Sequence, residues 1–407
     1  MLRLVFPACL LFASFVSAQY EPVPLDRPVL RAIPLGGEET IDPPTSPPGG
    51  EPLIPAAPAA PEPAVPEPTA PIVPPEIVHA TPIETFSPPT PLELKPTGDD
   101  AVRLQIFLDE AKFGPGVIDG KPGRFTELAV QSWNEVNGYP LDDWTGVNSA
   151  ARKAVPNPLA MGIVPEIAEQ WVDTTLPTSR PSQAKRKRMS YRSLAEFMSE
   201  RYHCDVPYLI ALNGSSKIYN LKLRDTIIVP NVQPFRIENI TGAAYKTDDM
   251  MSQRHAVVDT KINQIRIFEA APAAIIVAEP AADGQPTLTR RNRGLIASFP
   301  ITPGQPKFIE FGTWELRNMV EMPWWRYDQQ FLDTGKRSDN ALQIPPGPNS
   351  PVGIIWNGTS RSGIGLHGTS DPETIGRARS AGCIRLANWD AIRLPSLIRP
   401  GTTVEIR

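Results

Sequence analysis

The sequence predicts a multidomain chain: a mainly-β sandwich at the C-terminus, preceded by a small α-helical module, a small βααβ module and a disordered proline-rich tail. Three observations predict it. Of 49 prolines in 407 residues, 23 fall between residues 19 and 97. Apolar residues recur at helical spacing between residues 98 and 154, and short β-branched runs bounded by Pro and Gly take over from about residue 253. The formal net charge of -4 is unevenly divided: residues 19–97 hold 11 acidic and 3 basic residues, whereas residues 253–407 hold 14 acidic and 18 basic ones. The acidity belongs to the tail. No folded segment has the basic excess that a nucleic-acid backbone demands, which argues against nucleic acid as a primary partner.

Residues 1–18 read as a secretory signal peptide: Met1-Leu2-Arg3, an apolar run from Leu4 to Val16, then Ser17-Ala18 before Gln19. The run is too short to span a membrane comfortably. A lipoprotein reading through Cys9 is weaker, because Phe6-Pro7-Ala8 leave almost no apolar region ahead of it. Residues 19–97, with Pro55-Ala56-Ala57-Pro58, Pro61-Glu62-Pro63 and Val73-Pro74-Pro75-Glu76, cannot bury enough apolar surface to offset their ordering entropy. They read as an extended tether with an upper reach on the order of 240 Å at about 3.1 Å per residue; a ligand for a proline-recognition domain is the alternative.

Over residues 98–154, Leu104, Phe107, Leu108 and Ala111 share a helix face, Gly114-Pro115-Gly116 stops the helix, and Thr126 is placed to cap a second one carrying Ala129, Trp133 and Val136. Residues 155–188 read as a linker ending in the solvated run Lys185-Arg186-Lys187-Arg188. Residues 189–233 draw as βααβ: Ser193 caps a helix with Leu194, Phe197 and Met198 inward, Pro207 opens a second through Leu212, and Thr226 to Val229 is a strand. From Gln253 onward, His255–Asp259 and Gln264–Glu269 read as paired strands, 273–278 as a third, and 353–356 and 365–366 as strands entering the C-terminal motif. Loops such as Ile344-Pro345-Pro346-Gly347-Pro348 fit a sandwich better than alternating βα units. Trp324, Trp325 and Trp356 read as core, a substrate groove being the alternative.

The chemistry-bearing stretch is His367-Gly368-Thr369 followed by Ser380-Ala381-Gly382-Cys383-Ile384-Arg385. A thiol with an ordinary pKa of about 8.5 is mostly protonated at neutral pH and needs an adjacent base or cation to work as a nucleophile. His367 is the natural candidate, and consecutive N–H groups near Gly382 and Cys383 suit an oxyanion hole. On the side chains alone this is no more than a candidate Cys/His site. Once residues 1–18 are removed, Cys204 and Cys383 are the two cysteines left, so a disulfide between them is an alternative. A zinc set of His367, Cys383 and Asp371 lacks close-spaced ligand pairs.

The same residues resemble the L,D-transpeptidase catalytic domain, whose mark is His-Gly-Thr followed by Ser-X-Gly-Cys-X-Arg. The likeness extends upstream through Phe299-Pro300-Ile301-Thr302-Pro303-Gly304 and Pro346 to Gly353, and covers residues 253–407. It implies Cys383 as nucleophile, His367 as base, the Gly382 and Cys383 amides as oxyanion donors, Ser380 bracing the loop, and Arg385 orienting it or meeting a substrate carboxylate, with Gly368 and Thr369 in support. Ala381 departs from the His that many members carry, so any help that side chain gives is absent. No acidic third member is evident, and a backbone carbonyl orienting the imidazole is what the resemblance implies. So is the reaction: a thioester with a peptidoglycan stem peptide, loss of terminal D-alanine, and a 3-3 cross-link, without cofactor or metal. Water as acceptor would make a carboxypeptidase, an envelope protein amine a protein-anchoring enzyme, and a degenerate site a non-catalytic wall binder.

Two further resemblances point to the same partner. Leu104-Gln105 through Phe113, Gly116, Ile118-Asp119-Gly120, Gly123, Thr126, Ala129-Val130 and Gly138 are similar to a three-helix peptidoglycan-binding domain. Tyr191, Ser193-Leu194, Tyr202, Leu209, Leu212-Asn213, Leu221 and Val229-Pro230 resemble a glycan-binding LysM module, with Asp225 where that family usually has glycine. Cys204 falls where that motif places a small buried apolar residue and reads as an inert core thiol. The partners implied are stem peptides and glycan strands. Linked weak binders raise local substrate concentration, so removing residues 98–233 is expected to lower activity on insoluble sacculi far more than on soluble muropeptides.

Overall fold

The computed structural model describes residues 94–269, 294–305, 309–330, 336–361, 363–377 and 382–407, and the backbone of 275–280 and 286–291. The signal peptide, almost all of the tether, Ser380 and Ala381 lie outside the described residues.

Three helices, α1 (Gly98–Glu110), α2 (Arg124–Asn137) and α3 (Thr145–Ala154), follow the apolar periodicity. Leu104 and Leu108 meet Ala129, Val130 and Trp133 of α2 and Val147 and Ala151 of α3 in one buried cluster. Trp133 anchors it, edge-on to Phe107 at 5.8 Å and stacked on Tyr139 at 5.4 Å. Helix α2 starts earlier than expected, with Gly123 as its N-cap. Thr126 is not the cap: it is buried in the first turn and its hydroxyl donates to the Pro115 carbonyl at 3.5 Å.

Residues 155–188, expected as a linker, are folded. They supply β1 (Leu159–Ile163), α4 (Ala168–Trp171) and α5 (Arg180–Gln183). Strand β1 pairs antiparallel with β2 (Thr226–Pro230), Leu159 opposite Pro230 and Ile163 opposite Thr226. Between them lie α6 (Leu194–Arg201), α7 (Val206–Asn213) and α8 (Ser215–Tyr219). The partner of β2 therefore comes from upstream of the expected βααβ unit, and Tyr191 makes only a single bridge, to Val172. Gly162 interrupts the alternation of Leu159-Ala160-Met161-Gly162-Ile163, which hid the strand. Ser193 caps α6 as expected, accepting from the Glu196 amide at 3.1 Å, and α7, expected to open at Pro207, is capped by Asp205, which accepts from the Tyr208 amide at 2.8 Å. The basic run is partly tied down, Arg186 against Asp173 at 3.5 Å and the Arg188 guanidinium 3.7 Å over the Trp171 ring.

The C-terminal region contributes β3 (His255–Asp259), β4 (Gln264–Phe268), β5 (Ile275–Pro280), β6 (Pro286–Arg291), β7 (Leu295–Pro300), β8 (Gly312–Glu321), β9 (Trp325–Tyr327), β10 (Leu342–Ile344), β11 (Ile355–Thr359), β12 (Gly365–His367), β13 (Ile384–Arg385) and β14 (Thr403–Ile406). Eight of them form one mixed sheet in the order β13-β12-β11-β8-β14-β3-β4-β7. β5 pairs with β6, and β9 with β10, as separate hairpins. The expected pairing of β3 with β4 is present; the third strand expected over 273–278 forms from Ile275, and residues 273–274 lie outside the described residues.

The expected sandwich is one continuous sheet rather than two. Strand β8 changes partner midway, bonding β14 through Gly312 to Glu315 and β11 through Leu316 to Glu321. Ala256, Val258, Ile267 and Phe299 from one half and Leu316, Ile355, Leu366 and Ile384 from the other enclose a single core, with Leu394, Leu397 and Ile398 inside it.

Nor are the N-terminal units separable beads. On the other face of the β3–β4–β7 half, Val257, Phe268 and Leu295 are buried in the core of the three helices. Phe197 and Leu209 share a second core with Ile354, Ala387 and Trp389, the last from the short helix α9 (Asn388–Ala391). Phe113 bridges the free edge of β7, with the Gly114 amide donating to the Ser298 carbonyl at 2.7 Å and the Ser298 amide to the Lys112 carbonyl at 3.0 Å.

Candidate active site

The site is built by the end of the sheet. β12 runs antiparallel to β11 and parallel to β13, placing His367 opposite Trp356 on one side and Arg385 on the other. Cys383 immediately precedes β13, beside Gly365. Since side chains alternate with a period of two, Cys383, Arg385 and His367 belong to the same face of this sheet edge. A second anchor holds the turn from behind: Thr302 and Arg385 exchange both backbone bonds, at 2.9 and 3.0 Å, and the Thr302 hydroxyl accepts from the Gly376 amide at 2.8 Å. The Phe125 ring of α2 packs against Gly376.

Gly304, from the Phe299-to-Gly304 stretch singled out in the sequence, explains itself here. A Cβ on it would lie 2.7 Å from the Gly382 Cα and 2.8 Å from its carbonyl carbon, closer than any side chain tolerates. Gly382, half-buried, is thus pressed backbone to backbone at the cysteine.

His367 is buried and its ring stacks on Trp356 at 5.6 Å with 18° between the planes. Its Nδ1 lies 2.7 Å from the Gly368 carbonyl oxygen. A carbonyl only accepts, so Nδ1 carries the proton and Nε2 is left as the basic nitrogen. Burial pushes the imidazole down to about 4, against the opposing Gly368 hydrogen bond and with the Arg385 cation adding to the fall. Burial likewise raises the Cys383 thiol above its ordinary value, partly opposed by a backbone hydrogen bond from Gly365 and by Arg385. At neutral pH both shifts favour a neutral thiol beside a neutral imidazole. Cys383 Sγ lies 3.6 Å from the Gly363 carbonyl oxygen.

The remaining sequence-predicted residues divide. Gly368 supplies the carbonyl that fixes the imidazole, Thr369 is buried with its hydroxyl accepting from the Asp371 amide at 3.3 Å, and Arg385 lies half-buried beside His367. Ser380 lies outside the described residues. Both Cys204 and Cys383 are free thiols, so the disulfide alternative fails; Cys204 is buried, and that burial drives its thiol far above the ordinary range. Trp324 is 60% exposed, against its reading as core. Sequence reasoning missed Trp356 as the platform for His367, Thr302 as the anchor of Arg385, and Asn388, a wholly buried amide in an apolar stretch.

Residues 274–406 match the family model of the L,D-transpeptidase catalytic domain. The sheet itself begins earlier, at His255. The chain is 44% identical over 61 residues to the YkuD protein of Bacillus licheniformis, named as a candidate L,D-transpeptidase, covering 15% of this chain and 37% of that protein. It is 46% identical over 59 residues to YkuD of Bacillus subtilis, covering 14% and 36%. The chain thus spans little more than a third of the length of these curated relatives. Among solved structures, an L,D-transpeptidase from Mycobacterium smegmatis aligns over 38% of this chain and 58% of that one at 12% identity, with a TM-score of 0.26.

Proposed function

We propose that this chain is an exported L,D-transpeptidase of peptidoglycan. The observation that carries the reading is the imidazole of His367, its Nδ1 proton held by the Gly368 carbonyl and its Nε2 left basic, on the sheet edge that bears Cys383. The family match over residues 274–406 supports a peptidoglycan stem peptide as the acyl substrate.

The steps follow from that arrangement. Nε2 of His367 takes the thiol proton as Sγ of Cys383 attacks the carbonyl carbon of the third stem-peptide residue, a diamino acid. The oxyanion is received by the Gly382 and Cys383 amides. Collapse breaks the bond to the terminal D-alanine, whose amine takes the proton from the imidazolium, leaving a thioester. The side-chain amine of a neighbouring stem then attacks the thioester, gives its proton to Nε2, and displaces the sulfur, which is reprotonated as the 3-3 cross-link forms. Arg385 favours the anionic states of sulfur and substrate. Gly368 and Thr369 hold the start of the loop, and Ser380 is the residue that the family resemblance gives for bracing it.

Residues 1–18 direct export, and residues 19–97 set the distance between an envelope surface and the enzyme. Among the described residues no helix is long and apolar enough to cross a membrane. The units at 98–154 and 189–233 bind glycan strands or stem peptides. The test is mass spectrometry of soluble disaccharide-tetrapeptides incubated with the chain and with Cys383→Ala. Dimers lighter by one D-alanine per cross-link, absent with the variant, are the expected result. Monomeric tripeptides would instead make water the acceptor. Unchanged tetrapeptides in both samples would refute the stem-peptide reading and favour a protein amine or a non-catalytic binder.

A further inference from the structure

Behind His367 lies a chain of buried polar contacts that the reaction does not use directly and that leaves the C-terminal region altogether. The Gly368 carbonyl that holds Nδ1 belongs to a residue packed hard against Asn388: a Cβ on Gly368 would lie 2.0 Å from Asn388 Oδ1. Gly353 closes the same contact from the other side. Its φ is +61°, and a Cβ there would lie 2.4 Å from Asn388 Oδ1 and 2.5 Å from the Gly368 carbonyl carbon. Asn388 Oδ1 also faces the Ile354 amide at 3.4 Å. Its Nδ2 donates to Glu200 Oε1 at 2.8 Å and points to the Pro348 carbonyl at 3.4 Å. Glu200, on α6, is hydrogen-bonded through its other oxygen to the Tyr191 hydroxyl. Asn388, Glu200 and Tyr191 are all buried, so water cannot substitute for a missing partner.

We infer that Glu200 is a positioning residue of the Cys383–His367 centre, contributed by the N-terminal half of the chain and acting through Asn388 and Gly368. The orientation of one amide decides the geometry. An asparagine side chain can be seated either way round, and what decides is the partner on each side. The Glu200 oxygen demands a donor, so Nδ2 faces α6 and Oδ1 faces the Gly353–Gly368 backbone. Reversal would bring the NH2 group, with its hydrogens, against the Gly353 and Gly368 Cα atoms in a contact already too tight for a methyl group. The Gly368 peptide would then shift, and with it the acceptor that sets the His367 tautomer and the direction of Nε2. Burial pushes the Glu200 carboxyl up to about 8, and both its oxygens serve as acceptors, Oε1 for the Asn388 amide and Oε2 for the Tyr191 hydroxyl. Glutamine keeps the acceptor that faces Asn388; methionine fills the volume and offers neither.

The experiment compares E200Q, E200M and Y191F in the full chain, with two readouts. The first is turnover of the tetrapeptide substrate, which rests on the transpeptidase reading. The second is the rate of Cys383 alkylation by iodoacetamide, which needs no stem peptide. E200Q should stay within about twofold of wild type in both, while E200M loses on the order of tenfold in kcat at unchanged KM, as misplacement of a catalytic group by a fraction of an ångström does. Alkylation should fall in the same order, E200M below E200Q, towards the level of His367→Ala. Y191F keeps the ring and should give a smaller loss in the same sense; it stands in for E200M should that chain not fold. Wild-type rates in the two disruptive variants, or a loss in E200Q as deep as that in E200M, would overturn the inference. A wild type that ignores the tetrapeptide while Cys383 alkylation still ranks the variants in this order would sink the transpeptidase reading and leave this one standing.

Discussion

Replacing Arg393 by Met should destabilise the whole chain by about 3–5 kcal/mol, the cost of stranding a buried carboxylate. The carboxylate is Asp109, wholly buried at the end of α1. Arg393 reaches it with both guanidinium nitrogens, at 2.6 and 3.1 Å, and His203 approaches from a third direction at 3.0 Å. Burial alone would raise the Asp109 pKa, but Arg393 and then His203 outweigh it and hold the carboxyl well below the usual range. Removing the arginine leaves the burial penalty without its compensation. Asp109→Leu combined with Arg393→Met should recover most of the loss, because a well-packed apolar pair of similar volume is close to neutral against a buried ion pair. The assay is urea unfolding at pH 7 followed by tryptophan fluorescence, with both single variants and the double closing a thermodynamic cycle. High salt should change the result little, since the pair is shielded from solvent ions. A cost below about 1 kcal/mol for Arg393→Met, the range of exposed pairs, or costs that simply add in the double variant, would refute the reasoning.

Other outcomes follow from the same geometry. If His367 is the base, as proposed, its lowering by burial to about 4 means that the acylation rate should hold down to about pH 5 and fall only as pH drops through 4; a limb near 6.5 would contradict that environment. Asp390 is pushed up to about 8 by burial, from an ordinary 3.8, so the native state keeps a proton that the unfolded chain has released; stability should therefore decline as pH rises from about 4 to 8, and Asp390→Asn should flatten that slope in urea titrations. Gly353→Ala forces a side chain into a positive φ and into Asn388, which should cost at least about 2 kcal/mol in thermal or urea unfolding; a neutral effect would mean the contact is loose. Truncation to residues 253–407 exposes Val257, Phe268 and Leu295, each worth about 1.5–3 kcal/mol when buried, so activity on soluble muropeptides should be lost along with that on sacculi. That reverses the expectation drawn from tethered modules, and a truncated chain fully active on soluble substrate would restore it.

The candidate pair was legible because its signal is local. His367-Gly368-Thr369 and Gly382-Cys383 are two short motifs whose His and Cys stand sixteen residues apart, and the strand pair His255–Asp259 with Gln264–Phe268 announces itself by composition and a short turn. What the sequence concealed is non-local. Asp109 and Arg393 are 284 residues apart, and Glu200 and Asn388 are 188 apart; no periodicity encodes such a pairing, and each residue alone looks like an ordinary polar group. Strand β1 was hidden for a different reason, because Gly162 breaks its pattern and its partner lies more than sixty residues on. The sandwich reading captured the short strands bounded by Pro- and Gly-rich loops but not that β8 switches neighbours halfway along, since both halves of that strand read as the same kind of strand.

The bridge of Phe113 onto β7 bears on the order of events as the chain is made. A sheet completed with β7 bare would offer a row of unpaired amides and carbonyls to any neighbouring chain, the usual start of edge-to-edge aggregation. Here the Lys112–Gly114 segment that covers this edge is translated nearly two hundred residues before the strand it covers. The guard is ready before the thing it guards exists. A circular permutant that moved residues 98–154 behind residue 407 would keep every contact of the finished fold yet leave the sheet uncovered throughout its own synthesis, and its extra aggregates would measure what that sequence of events is worth.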